Sequence, residues 1–239
     1  SSYYLHDSQI DMAYSVFDVF NCGEDDVSQI WVYVDVTEDD VVVDFDNGVG
    51  DICSITEDVW VSPDGNDNLN TGTSGDNALL TINRALALIG PSEDNPITIF
   101  LAEGVFSPST TGEIFPIIMS AHVSLIGQGA DVTIIDANQL DHVIVIVNQT
   151  NISISDLTIT GGSTALDGGG ILIVNSLDVV LNELRILNNT ARSGGGIFIN
   201  NATLALTSLT IENNSATQFA GGLSEYQSYS DINNILIKN

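Results

Sequence analysis

Asp156 and Glu183 each stand immediately before a Leu-x-Ile stretch, Leu157-Thr158-Ile159 and Leu184-Arg185-Ile186. If successive repeats stack as strands, the two carboxylates lie one rung apart, about 5 Å. That is near the carboxyl separation of a retaining glycosidase. The next equivalent position is Ser208, so the acidic column breaks there. Arg185 lies between two inward residues, Leu184 and Ile186, and therefore points outward. Lyase chemistry would need such a cation as base, with Ca²⁺ held by carboxylates against the substrate. The other cations are Arg84, Arg192 and Lys238, and no organised acidic cluster in the repeats surrounds Arg185. Asp156, Glu183 and Arg185 form the candidate carbohydrate site; the competing reading is ordinary acidic surface.

A second candidate is the oxygen-rich run Asp64-Gly65-Asn66-Asp67-Asn68. Side chains of this type on a Gly-containing turn suit a hard ion such as Ca²⁺, although the terminal Glu of an EF-hand is missing. The alternative is an Asx-rich turn whose side chains bond their own backbone. His6, His122 and His142 are scattered and make no ligand spacing. Cys22 and Cys53 are the only cysteines. A disulfide between them fits an extracellular chain, and closing a loop of that size contributes about 3–4 kcal/mol in the chain-entropy model; two free thiols are the cytosolic alternative.

The elements that must position these groups are announced by repetition. Gly168-Gly169-Gly170-Ile171-Leu172-Ile173 returns as Gly194-Gly195-Gly196-Ile197-Phe198-Ile199, and weakly as Gly221-Gly222-Leu223. Leu184-Arg185-Ile186-Leu187-Asn188-Asn189-Thr190-Ala191 returns as Leu209-Thr210-Ile211-Glu212-Asn213-Asn214-Ser215-Ala216. A fixed period of about 26 residues with one structural unit per repeat means a stacked solenoid. Within each unit the aliphatic residues alternate with period two, as at Ile152 and Ile154, Val179 and Leu181, Leu204 and Leu206. Three short strands per rung, separated by corners, predict an all-β parallel β-helix with a dry aliphatic interior. Glycine triplets are expected to supply positive φ at one corner. Asn188-Asn189 and Asn213-Asn214 are expected to stack at another as an asparagine ladder. Asn148, Asn151, Asn188, Asn201 and Asn213 also begin N-x-S/T sequons; corner geometry explains them without glycosylation.

The stretch 78–89 predicts a helix, ended by Gly90-Pro91, that caps the solenoid at its N-terminal end. Residues 59–239 thus read as the β-helix domain. Residues 1–58 read as a separate acidic β segment, or the end of a preceding solenoid, with alternation at Ile30, Val32, Val34 and Val36. The chain opens on Ser1 and stops inside a strand, which predicts a piece of a longer precursor. Against 32 Asp and Glu stand four Lys and Arg, a formal net charge of −28. Such a field disfavours nucleic acid and anionic membrane as partners, and no run is long and apolar enough to span a bilayer.

The opening Val59-Trp60-Val61-Ser62-Pro63-Asp64-Gly65-Asn66-Asp67, followed by the helix and by Ile97 to Phe106, resembles the start of secreted bacterial right-handed parallel β-helix domains of the pectin-lyase-like superfamily. The G-G-G-I and N-N-[ST]-A repeats are similar to those of polymorphic outer-membrane-protein-type adhesins. The resemblance covers about residues 59–239 and implies a right-handed coil and export. Its range of activities is wide: lyases, hydrolases, adhesins and surface-layer or filament proteins. The Asn-Thr-Asp, Gly-His-Gly and Arg-Ile-Lys elements of polygalacturonases are missing; Arg185-Ile186 is followed by Leu187.

These readings converge on a non-catalytic extracellular structural or adhesive protein at the cell surface. Its expected partners are further domains of its precursor or other copies of itself, joined head-to-tail into a filament. Residues 1–58 would then cover the open end of a neighbouring copy. The alternative is a polysaccharide-binding or polysaccharide-degrading protein. No cofactor other than Ca²⁺ is suggested.

Overall fold

The computed structural model describes residues 54–238. The strand alternation of the N-terminal segment, the Cys22–Cys53 bridge and His6 lie outside the described residues. Residues 55–58, which the sequence places with that segment, are bonded to the solenoid. Ile55 pairs with Ile89, Asn95 Nδ2 donates to the Thr56 carbonyl, and Asp58 accepts from the Thr98 amide.

The described residues form a parallel β-helix. Its first face stacks Val59–Val61, Ile97–Leu101, Val123–Ile126, Thr150–Ser155 and Leu177–Asn182. The second stacks Gly104–Phe106, Thr133–Asp136, Thr158–Thr160 and Arg185–Leu187. In the last two coils strand pairing continues through the corner between these faces, so that single strands, Thr203–Glu212 and Tyr229–Lys238, run across both. The third face stacks Ile117–Ile118, Ile144–Val147, Ile171–Val174, Ile197–Asn200 and Leu223–Tyr226. A short side arm, Thr190–Ser193 paired with Ser215–Phe219, precedes the third face.

Register explains why this sequence closes a core. Ile144, Ile171 and Ile197 align in successive coils, as do Ile146, Ile173 and Ile199. Ile154, Leu181 and Leu206 form a third column, and Ile159, Ile186 and Ile211 a fourth. All of these side chains are buried, each contributing about 2–3 kcal/mol of apolar burial. A one-residue slip would turn every one of them to solvent. The third face is apolar outside as well, where Ile118, Val145, Leu172 and Phe198 align. In the last coil Leu223, Ile232, Ile235 and Ile237 continue four aliphatic columns, and two others turn polar. Glu225 replaces the isoleucine column below Ile199, Ser230 replaces the column below Leu204, and the Ser230 hydroxyl lies 2.8 Å from Glu225 Oε1.

Two sequence expectations are corrected. The helix spans Ile82–Leu88, shorter than 78–89. Leu79 is drawn into strand-like pairing with Val61, Thr81 becomes the N-cap by accepting from the Arg84 amide, and Ile89 is taken by its pairing with Ile55. Ile82 and Ala85 are buried at the N-terminal end of the core, as a cap requires. The glycine triplets do not all serve left-handed backbone. Only the first of each does, at Gly168 (φ +78°) and Gly194 (φ +59°), and Ala220 manages φ +47° at the same place one coil on. The second and third glycines are needed because backbone passes too close for a Cβ.

Candidate functional site

Asp156 and Glu183 do occupy one column, since Ser155 pairs with Asn182 and Asn182 with Thr207. The column continues through Ser208 to Asn234. Its members share a backbone conformation, with φ of +60°, +52°, +54° and +55°. This is the left-handed corner between the first and second faces, which costs about 1–2 kcal/mol for most L-residues. Replacing Glu183 with glycine is therefore expected to leave the melting temperature unchanged or raise it, whereas valine should lower stability by about 1–2 kcal/mol. Thermal melts of the two variants check this; equal effects would count against the backbone explanation.

Arg185 points outward from the second face, as expected, but it is not alone there. Its Nη1 donates to Asp131 Oδ1 at 3.0 Å and its Nη2 to Glu212 Oε1 at 3.1 Å. Lys238 Nζ meets the other Glu212 oxygen at 2.9 Å. The Lys238 and Arg185 hydrogen bonds hold the Glu212 carboxyl below its ordinary range. The cation is thus shared between two acids, one reaching it from two coils before and one from the coil after.

At the Asp64–Asn68 turn the oxygens are engaged by the chain itself. Asn66 Oδ1 accepts the amides of Asn68 and Leu69 at 2.9 and 3.1 Å. Asp67 Oδ1 accepts those of Leu80 and Thr81, and its Oδ2 accepts the Thr81 hydroxyl at 2.7 Å. Asp64 and Asn68 remain exposed. Asn66 thus makes an Asx turn, whereas Asp67 ties the turn to the start of the cap helix, and a cation would have to share those oxygens. Among the described residues, no three of His, Cys, Asp and Glu converge as a ligand cluster.

The asparagine pairs split their duties. Asn188 and Asn213 take the left-handed corner, with φ of +58° and +54°, and are exposed. Asn189 and Asn214 turn inward and are buried. Asn189 Oδ1 accepts from the Gly162 amide at 2.7 Å, Asn189 Nδ2 donates to Asn214 Oδ1 at 3.0 Å, and Asn214 Nδ2 donates to the Ile186 carbonyl at 2.7 Å. The five sequon asparagines are all exposed residues at positive φ.

Three features escaped the sequence. Glu113 is buried and holds the start of the cap helix, accepting from the amides of Ile82 and Asn83 at 2.7 and 3.1 Å. Burial raises its carboxyl above the usual value. His142 is buried too, with Nδ1 2.7 Å from Asp141 Oδ1 and Nε2 3.1 Å from the Asp167 carbonyl. The third is a groove of about 450 Å³ between the side arm and the outside of the third face. Phe198, Phe219 and Tyr226 line it together with Asp167, Arg192 and Gln218. In the sequence Phe198 stands nearly alone; stacking places Tyr226 beside Asn200 and Phe219 beside Ser193. Arg192 Nε donates to Asp167 Oδ1 at 2.9 Å and Nη2 to Oδ2, so its charge is matched within the groove.

The Arg192 hydrogen bond lowers the Asp167 carboxyl below its ordinary value. A depressed carboxylate stabilises the fold above its unfolded value and loses that contribution as pH falls through the folded one. The melting-temperature gap between wild type and an Arg192→Met variant is therefore expected to be small at neutral pH, because the Arg192 side chain is 46% exposed and water screens the pair. It should close as pH drops below the ordinary carboxylate range. Melts across that range at low salt check it; a gap independent of pH would refute the pairing.

Three solved structures match the chain. One is pectin methylesterase PemA from Erwinia chrysanthemi, at 12% identity over 78% of this chain and 67% of that one, with a TM-score of 0.47. Another is a pectin methylesterase in complex with a hexasaccharide, at 13% identity over 77% and 67%, also with a TM-score of 0.47. No curated protein sequence matches the chain. A family model covers residues 63–239, nearly all of the solenoid, and by that match the chain belongs to DUF1565, a family described as protein of unknown function.

Proposed function

We propose that this chain is a non-catalytic structural or adhesive β-helix protein of the cell surface or extracellular space, a segment of a larger or filament-forming assembly. The observation that carries the proposal is the make-up of the Asp156 column. Its positions hold Asp156, Glu183, Ser208 and Asn234, which have left-handed backbone in common and not a carboxylate. Arg185, the nearest cation, is already balanced by Asp131 and Glu212. A lyase or hydrolase needs an acid or base set against the substrate together with its partner groups; here the acidic column stops after two coils, and the adjacent cation is taken up by surface ion pairs.

Incubation with polygalacturonate and methyl-esterified pectin, with and without Ca²⁺, tests the proposal. Unsaturated products, new reducing ends and released methanol are all expected to stay at background. Turnover that disappears in Asp156→Ala or Arg185→Ala would overturn it.

Assembly follows from the same architecture. Among the described residues, the strand Tyr229–Lys238 pairs along one edge only, with Thr203–Glu212, and Ile232, Leu236 and Ile237 are about half exposed. That edge fits a further coil, supplied by the same polypeptide or by another copy. Head-to-tail stacking of copies gives a fibre that size-exclusion chromatography and negative-stain imaging at high concentration would register; monomers alone would remove the filament part of the proposal. The second reading, saccharide binding without turnover, is favoured by the aromatic groove.

A further inference from the structure

A second groove, of about 280 Å³, lies at the corner between the third and first faces of the last three coils. Leu177 and Tyr229 supply its apolar walls, Asn201 and Gln227 supply amides, and Thr203 and Ser228 supply hydroxyls. None of these six carries a charge at neutral pH, in a chain whose formal net charge is −28. Tyr226 ends the first groove and Gln227 begins the second, so the two adjoin along the chain. Phe219, Tyr226 and Tyr229 stand on the last described coil and are 69%, 60% and 73% exposed.

We infer that the two grooves form one binding track for a neutral oligosaccharide, lying along the strand direction from Phe219 on the side arm, past Phe198 and Tyr226, to Tyr229. The inference deepens the adhesive reading and rests on it. The chemistry of the lining selects the ligand. A sugar ring offers an apolar C–H face, which an exposed aromatic ring covers without needing a charge. Its hydroxyls both donate and accept, as the Gln227 amide does; beside it, Asn201 Oδ1 can accept while its Nδ2 holds Asn175, and the Thr203 hydroxyl can donate while it accepts from the Asp178 amide. A uronate fits poorly. The one cation in the track, Arg192, is already bidentate to Asp167, and the surrounding negative field repels a polyanion.

Isothermal titration with neutral hexasaccharides of glucan, xylan and mannan, against hexagalacturonate, tests the track. At least one neutral sugar is expected to bind at least tenfold more tightly than the uronate. Phe219→Ala and Tyr229→Ala are each expected to weaken that binding roughly tenfold. Their melting temperatures should match wild type, because both rings project into solvent. Absence of neutral-sugar binding, preference for the uronate, or affinity that neither substitution changes would overturn the inference. So would capture of a protein ligand through the same rings with no sugar bound. Product analysis of the titrated samples separates the two ideas. Cleaved sugar would sink the non-catalytic reading and leave the track standing, whereas uncleaved and unbound sugar would sink only the track.

Discussion

Replacing Asn189 with alanine is expected to destabilise the protein by about 3 kcal/mol, through loss of hydrogen bonds that nothing else in the interior can supply. Asn189 Oδ1 is the acceptor for the buried Gly162 amide, and its Nδ2 serves both the Ile159 carbonyl and Asn214 Oδ1. Water does not reach this position, since Asn189 has 0% exposure. An orphaned buried N–H then costs about 1–3 kcal/mol, and the rest comes from the broken link between coils. Asn188, one residue earlier, faces solvent at φ +58°. Its change to glycine keeps the backbone conformation and should cost only a few tenths of a kcal/mol. Urea unfolding of the two variants measures the contrast. Similar effects would mean that the corner backbone, and not the inward amide, holds the coils together.

Gly195→Ala should be more damaging still, costing upwards of about 4 kcal/mol or preventing cooperative folding. A Cβ at Gly195 would sit 2.1 Å from the Ser215 carbonyl oxygen and 2.6 Å from that of Gly221. Both are backbone atoms, so no side-chain rotation relieves the collision. Either the side arm lifts away or the hydrogen bonds around it break, among them the 2.8 Å bond from the Ser215 amide to the Asn189 carbonyl. Gly75→Ala provides the control: its nearest neighbour is a Trp60 ring atom at 3.9 Å, and the change should be close to neutral. Soluble yield and far-ultraviolet melts report both. A Gly195→Ala protein that melts like wild type would refute the close-approach account.

The periodic part of the molecule was readable because period-two alternation and a fixed repeat length together leave one way to bury Ile173, Ile199 and their neighbours. The ladder was readable for the same reason, since Asn189 and Asn214 recur at one offset. What the residues did not reveal depended on register between coils. The side arm carries a bulge between Ala191 and Ser193, so that Ser193 meets Phe219 and the spacing there departs from the repeat. That irregularity brings Phe219 to the groove, and no count along the chain predicts it. Glu113 escaped because its partners, Ile82 and Asn83, lie about thirty residues away in a part of the chain without repeats. The roles of the individual glycines were misjudged because composition reports flexibility and clearance alike. Only coordinates show that Gly194 provides the first and Gly195 the second.

Along the third face, the paired residues Ile117, Ile144, Ile171, Ile197 and Leu223 set off coils of 27, 27, 26 and 26 residues. Length in such a molecule is quantised. Excising residues 171–196 would join Gly170 to Ile197 and return a shorter rod with its stacking unbroken. Deleting a single residue inside Ile171–Val174 would instead exchange the wet and dry sides of everything up to the next turn. A lineage built on this plan can therefore gain or shed reach by duplicating or dropping entire windings, while being barred from most smaller steps.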